Sequence, residues 1–130
     1  MAEMSNYLEV ALLNATLNNT TYTSPATTYL ALFTSDPTDA GTGTEVSGGS
    51  YARQALSFAT ASGTTGLVAT DADVEFPQAT GNWGTVGWIG IYDALTSGNL
   101  MYHTALDVSK AIDTGDIFKI STGSLTVALA

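Results

Sequence analysis

Apolar positions follow two rules along this chain: helical spacing up to about residue 18, and alternation in short runs beyond residue 27. In the first part, Leu8, Ala11, Leu12 and Ala15 recur at three- and four-residue intervals, which predicts one apolar stripe on a helix over 6–18. Asn6 followed by Glu9 has the spacing of a capping box and places the helix start at Asn6. Asn18, Asn19 and Thr20 end it. Val10, Leu13 and Leu17 widen the apolar face, so the helix is expected to pack on its own sheet or on a neighbouring subunit.

From Thr28 to Phe33 the pattern is that of a strand covered on both sides, with Tyr29, Ala31 and Phe33 opposite Leu30 and Leu32. Asp36-Pro37, Gly41, Gly43 and Gly48-Gly49 make Ser35–Ser50 a long loop, of the kind that carries function or mobility. Gln54–Ala59 reads as a strand with Leu56 and Phe58 inward, followed by a polar loop from Ala61 to Gly66. Val74 and Phe76 form a short strand stopped by Pro77, and Gly81-Asn82-Trp83-Gly84 reads as a turn. Gly84–Tyr92 is the strongest strand, with Val86, Trp88 and Tyr92 opposite Ile89 and Ile91. Through the turn Ser97-Gly98-Asn99 it is expected to form an antiparallel hairpin with Leu100–Leu106. Asp113–Asp116 separates Val108–Ile112 from Ile117–Ile120, and Leu125, Val127 and Leu129 alternate at the end. The expected fold is therefore mainly β: one domain over 1–130, an antiparallel β-sandwich or barrel over 27–130, and one N-terminal α-helix. Strands do not alternate with helices, and neither a repeat nor a heptad pattern occurs.

Composition narrows the function classes. The 130 residues carry a net charge of −9, with Arg53, Lys110 and Lys119 the only Lys or Arg, which argues against nucleic acid and against an anionic membrane surface. Charged residues make up 12% of the chain, so Thr, Ser, Asn and Gly must carry the surface. There is no cysteine for a disulfide or thiolate site. Glu3 and Glu9 stand where a secretory signal would be basic, and no apolar run approaches membrane-spanning length.

Candidate chemistry is sparse. His103 is the one histidine, no G-x-S-x-G elbow occurs, and a structural or interface role is the simpler reading. Asp71, Asp73 and Glu75 alternate and would point to one side of a strand, as an acid pair for glycoside hydrolysis or, more simply, as a solvated edge that blocks sheet pairing. Asp36, Asp39 and Glu45 share one loop and Asp113 and Asp116 another, a weak pattern for calcium without EF-hand spacing. No catalytic residue and no cofactor is expected. Trp88 reads as core, whereas Trp83, in its turn, is the aromatic expected to be exposed. With Tyr102 it offers a contact for a partner or a sugar, and Leu8, Leu12 and Leu13 are the helix residues expected at an interface.

Ser5-Asn-Tyr-Leu-Glu9, Tyr29-Leu-Ala-Leu-Phe-Thr-Ser-Asp-Pro37 and Gly48-Gly-Ser-Tyr-Ala-Arg53 form the first half of a larger pattern. Val74-Glu-Phe-Pro77, Ala79-Thr-Gly-Asn-Trp-Gly-Thr85, Gly90-Ile-Tyr-Asp93, Gly98-Asn-Leu100 and Thr122-Gly-Ser-Leu125 complete it. As a whole the chain resembles a family of short tailed-bacteriophage virion proteins that are commonly labelled tail fibre proteins. The resemblance implies a virion component without catalytic residues, with partners among other capsid, neck or tail proteins. A homo-oligomer, with a trimer at a symmetry axis, is expected. Having neither repeats nor a coiled coil for a shaft, such a domain also suits capsid decoration (cement) or the cap of a longer fibre. The alternative is a carbohydrate-binding module that recognises a host surface glycan.

Overall fold

The computed structural model describes residues 2–63 and 65–129. Its elements are β1 (Glu3–Met4), α1 (Asn6–Leu17), β2 (Thr28–Phe33), β3 (Gln54–Leu56), β4 (Leu67–Ala69), β5 (Val74–Glu75), β6 (Gly84–Tyr92), β7 (Leu100–Ile112), β8 (Lys119–Ile120) and β9 (Thr126–Ala128). Strands β1-β7-β6-β2-β3 form one five-stranded antiparallel sheet, and β4-β9 and β5-β8 form two small antiparallel ladders. The fold is mainly β with one N-terminal helix, as the sequence pattern predicts.

Each face of the large sheet has its own core. Leu30 and Leu32 of β2 and Ile89 and Ile91 of β6 pack with Val74, Phe76, Phe118, Leu125 and Val127 from the small ladders and their flanks. This gives the two apolar layers of a sandwich-like arrangement. Ala31, Phe33, Tyr92 and Leu100 form the second cluster on the opposite face, with Trp88 against it. The two-sided burial expected for β2 follows directly from its alternation. Gly90 makes the second cluster possible: a Cβ there would stand 2.8 Å from Leu100 and 3.0 Å from Phe33.

Several expectations need correction. Alternation predicts Val86 beside Trp88 and Tyr92, but it belongs to the main core with Ile89 and Ile91. The cause is a bulge: Val86 pairs with Lys110 and Trp88 with Ala105, so β6 advances two positions while β7 advances five. The irregularity reverses which face the side chains take, which a period-two reading cannot detect. β7 also runs unbroken from Leu100 to Ile112, where the sequence suggested two strands. β1 and β4 were not anticipated, because two- and three-residue strands carry too little alternation to register.

The helix starts at Asn6, as expected, but Asn6 is its first residue and not its cap. Ser5 is the N-cap, with an extended backbone, and its Oγ accepts from the Leu8 amide at 3.2 Å. That hydroxyl also donates to the Leu100 carbonyl, while the Ser5 amide donates to the Met101 carbonyl at 2.9 Å. One buried serine thus both starts the helix and fastens it to β7.

Candidate functional site

The helix is held firmly at its root and apolar on its outer side. Besides the Ser5 bonds, the Asn6 amide donates to the Asp39 carbonyl at 2.9 Å, and Leu8 is the helix's one buried residue. Leu12 is half-buried. Val10, Leu13 and Leu17 are 59%, 57% and 74% exposed. At about 100° per residue these three fall within an arc of about 60°, turned away from Leu8. A helix apolar on two sides but covered on only one presents unpartnered surface.

The motif Gly48-Gly-Ser-Tyr-Ala-Arg53 builds the scaffold behind the second core cluster. Gly48, Gly49 and Ser50 all have positive φ, a left-handed run that the two glycines make affordable. A Cβ on Gly49 would stand 2.8 Å from Trp83 Nε1, and that indole N–H donates to the Gly49 carbonyl at 2.9 Å. The turn delivers Tyr51 into the main core, stacked on Phe76 with ring centroids 5.9 Å apart and edge-on to Trp83. Its hydroxyl donates to Glu45 at 2.6 Å and accepts from the Leu32 amide at 3.1 Å. Burial, then the bond to Glu45, pushes the Tyr51 phenol well above its ordinary pKa.

Arg53 is the hub of the network. It donates from Nε and Nη2 to the two oxygens of Glu45 (2.9 and 2.8 Å) and from Nη1 to the carbonyls of Ala94 and Ser97 (2.9 and 2.7 Å). Its guanidinium carbon lies 3.8 Å from the centroid of the Tyr92 ring. Burial works against its charge, but the Glu45 carboxylate and the neighbouring tyrosines hold its pKa above the ordinary value. A single side chain therefore joins the 45–53 segment to the loop between β6 and β7.

The residues singled out from sequence are distributed unevenly. Trp83, expected to be exposed, is 4% exposed and lies in the main core, so it is not available to stack on a sugar. Trp88, expected in the core, is the half-buried indole. The cause is that the turn before β6 folds inward: the Trp83 amide donates to the Ile112 carbonyl at 2.8 Å. Tyr102 is half-buried, packed against the main cluster opposite Ile91, and burial raises its pKa. Asp36 caps the Thr38 amide at 2.9 Å, Glu45 is engaged by Arg53, and Asp116 accepts from the Asp113 amide at 2.9 Å. Asp71 and Asp73 lie outside β5, so the three acids do not line one strand. Asp73 accepts from the Thr122 amide and hydroxyl, both at 2.8 Å, and lies 3.4 Å from Lys119. The bonds from Thr122, then Lys119, lower its pKa.

Asp39 lies instead beside buried His103, with its Oδ1 2.7 Å from the ring Nε2. Glu3 is the direct cross-strand neighbour of His103. The candidate donor atoms of Glu3, Asp39 and His103 all lie within 4.8 Å of one another, the one such trio among the described residues. Sequence reasoning missed it because the three residues come from β1, the 35–50 loop and β7, and β1 was not foreseen.

The family model described as Podophage GP4 fiber I protein gp80 matches residues 3–128. No curated protein matches the chain. The chain belongs to this podophage fibre family and is a component of the virion.

Proposed function

We propose that this member of the podophage fibre family is a non-enzymatic structural protein that attaches to another capsid, neck or tail protein through the outer face of α1. The observation that carries the reading is the exposed stripe Val10, Leu13 and Leu17 on a helix whose root is bonded to β7 and to Asp39. The 12-residue helix is about 18 Å long. Laid flat against a second copy, a helix of that length covers little of the roughly 800 Å² per partner that a stable interface takes, whereas a groove buries it on several sides. The stripe matches instead the mode in which a short apolar helix lies in a groove of a larger protein. The absence of any extended shaft among the described residues favours decoration of the particle or the capping of a longer fibre.

A test is assembly of phage carrying Leu13→Asp with Leu17→Ser. The purified variant should keep wild-type circular dichroism, while mass spectrometry of purified virions should find it depleted. Normal incorporation of the folded variant would overturn the reading. Recovery of wild-type protein as a stable trimer, lost in the variant, would assign the helix face to self-assembly instead.

A further inference from the structure

We propose that Glu3, Asp39 and His103 form a binding site for a divalent first-row transition cation of the zinc class. The donors are one imidazole nitrogen and two carboxylates, a set suited to such ions rather than to calcium, which prefers six to eight oxygen ligands. Antiparallel pairing places Glu3 directly opposite His103, so the two side chains leave the sheet on the same face. Asp39 is brought up from the loop by its carbonyl, which accepts from the Asn6 amide at 2.9 Å.

The ring Nε2 and Asp39 Oδ1 are 2.7 Å apart, a hydrogen bond whose proton an incoming ion must displace to solvent, whereas donors around a tetrahedral zinc stand about 3.3 Å apart. The site must therefore open by about 0.6 Å, as the same bond geometry requires. Asp39 and Glu3 are exposed and able to make that adjustment, while His103 is held in place by burial.

Charge points the same way. Two carboxylates meet here in a chain of net charge −9, and no lysine or arginine offsets them. Arg53 is bound to Glu45, Lys119 lies beside Asp73, and Lys110 sits opposite Val86 towards the other end of β7. The partial positive charge at the start of α1 opposes a cation, but it is about half a unit against two full negative charges. Three protein ligands leave a coordination position open to water or to a residue of a docked partner. A bound ion would join β1, the 35–50 loop and β7, fixing the root from which α1 projects.

The test is isothermal titration of the natural sequence, without any affinity tag, with zinc chloride. One-to-one uptake is expected. Glu3→Gln and Asp39→Asn should each weaken it by at least about ten-fold, since even a second-shell change costs that much. The paired control Asp113→Asn with Asp116→Asn, in the turn before β8, should leave it unchanged. Because Glu3 and Asp39 are exposed, both variants keep the fold and the test stays decisive. Absence of one-to-one uptake, or uptake indifferent to Glu3→Gln, would overturn the proposal.

Discussion

Replacing Arg53 by Met isolates the contribution of the buried hub. The substitution keeps most of the alkyl packing but removes two bonds to Glu45, two bonds to backbone carbonyls and the contact with the Tyr92 ring. If the pair behaved as a surface salt bridge, the loss would be about 0.2–1 kcal/mol. Arg53 and Glu45 are, however, only 8% and 26% exposed. Breaking a buried pair from one side costs about 3–5 kcal/mol, because the remaining charge stays desolvated. Glu45 keeps partial solvent access and the Tyr51 hydroxyl, so the lower end applies, about 3 kcal/mol. For 130 residues, with about 2.1 cal/mol/K of unfolding entropy per residue, that lowers Tm by about 10 °C. Urea denaturation should show a lower midpoint at unchanged m-value. In a double-mutant cycle, Arg53→Met with Glu45→Gln should fall short of the summed single losses by at least about 1 kcal/mol. A single-mutant loss below about 1 kcal/mol, or strict additivity, would refute the account of Arg53 as a hub.

The two indoles should behave oppositely to what their sequence settings suggest. Trp83→Ala should cost about 3–5 kcal/mol in urea denaturation, and Trp88→Ala clearly less; the reverse order would contradict the packing described for β6. Asp73 gives a pH dependence: its folded pKa lies below the ordinary 3.8, so its contribution is present above that value and lost as pH falls through the folded pKa. The stability gap between wild type and Asp73→Ala should therefore narrow on acidification below about pH 4, and a gap constant down to pH 2 would count against the Thr122 bonds. Leu13→Asp alone should leave stability within about 0.5 kcal/mol of wild type, as for an exposed position; a larger loss would mean that the outer helix face is already covered.

Much of the fold was legible because long strands announce themselves. β2 and β6 carry enough apolar, aromatic and β-branched residues for their bounds to follow, and β2 for its two-sided burial as well. The helix was equally plain. What escaped reading depends on contacts far apart in sequence. β1 exists because Glu3 and Met4 pair with His103 and Tyr102, and β4 because Leu67–Ala69 finds Thr126–Ala128. The bulge opposite Gly87 is invisible to alternation, and it decides the faces of Val86 and Trp88. The Gly and Asn neighbours of Trp83 suggest an outward side chain, yet a turn can fold a large side chain inward when a carbonyl such as that of Gly49 waits for its N–H. The motifs that carry the family resemblance are largely of this kind. Gly48–Arg53, Val74–Pro77 and Ala79–Thr85 specify the core and its turns, so they mark the family through its fold. The exposed helix face was half visible: its apolar width was read, but Leu8, expected at an interface, is the residue that anchors the helix inward.

The most direct measurement is a cryo-electron microscopy map of the podophage particle in which this chain is traced. The account predicts that Val10, Leu13 and Leu17 are buried against another capsid, neck or tail protein, with the large sheet unchanged. A chain placed in the virion with that stripe facing solvent, and held through some other surface, would contradict it.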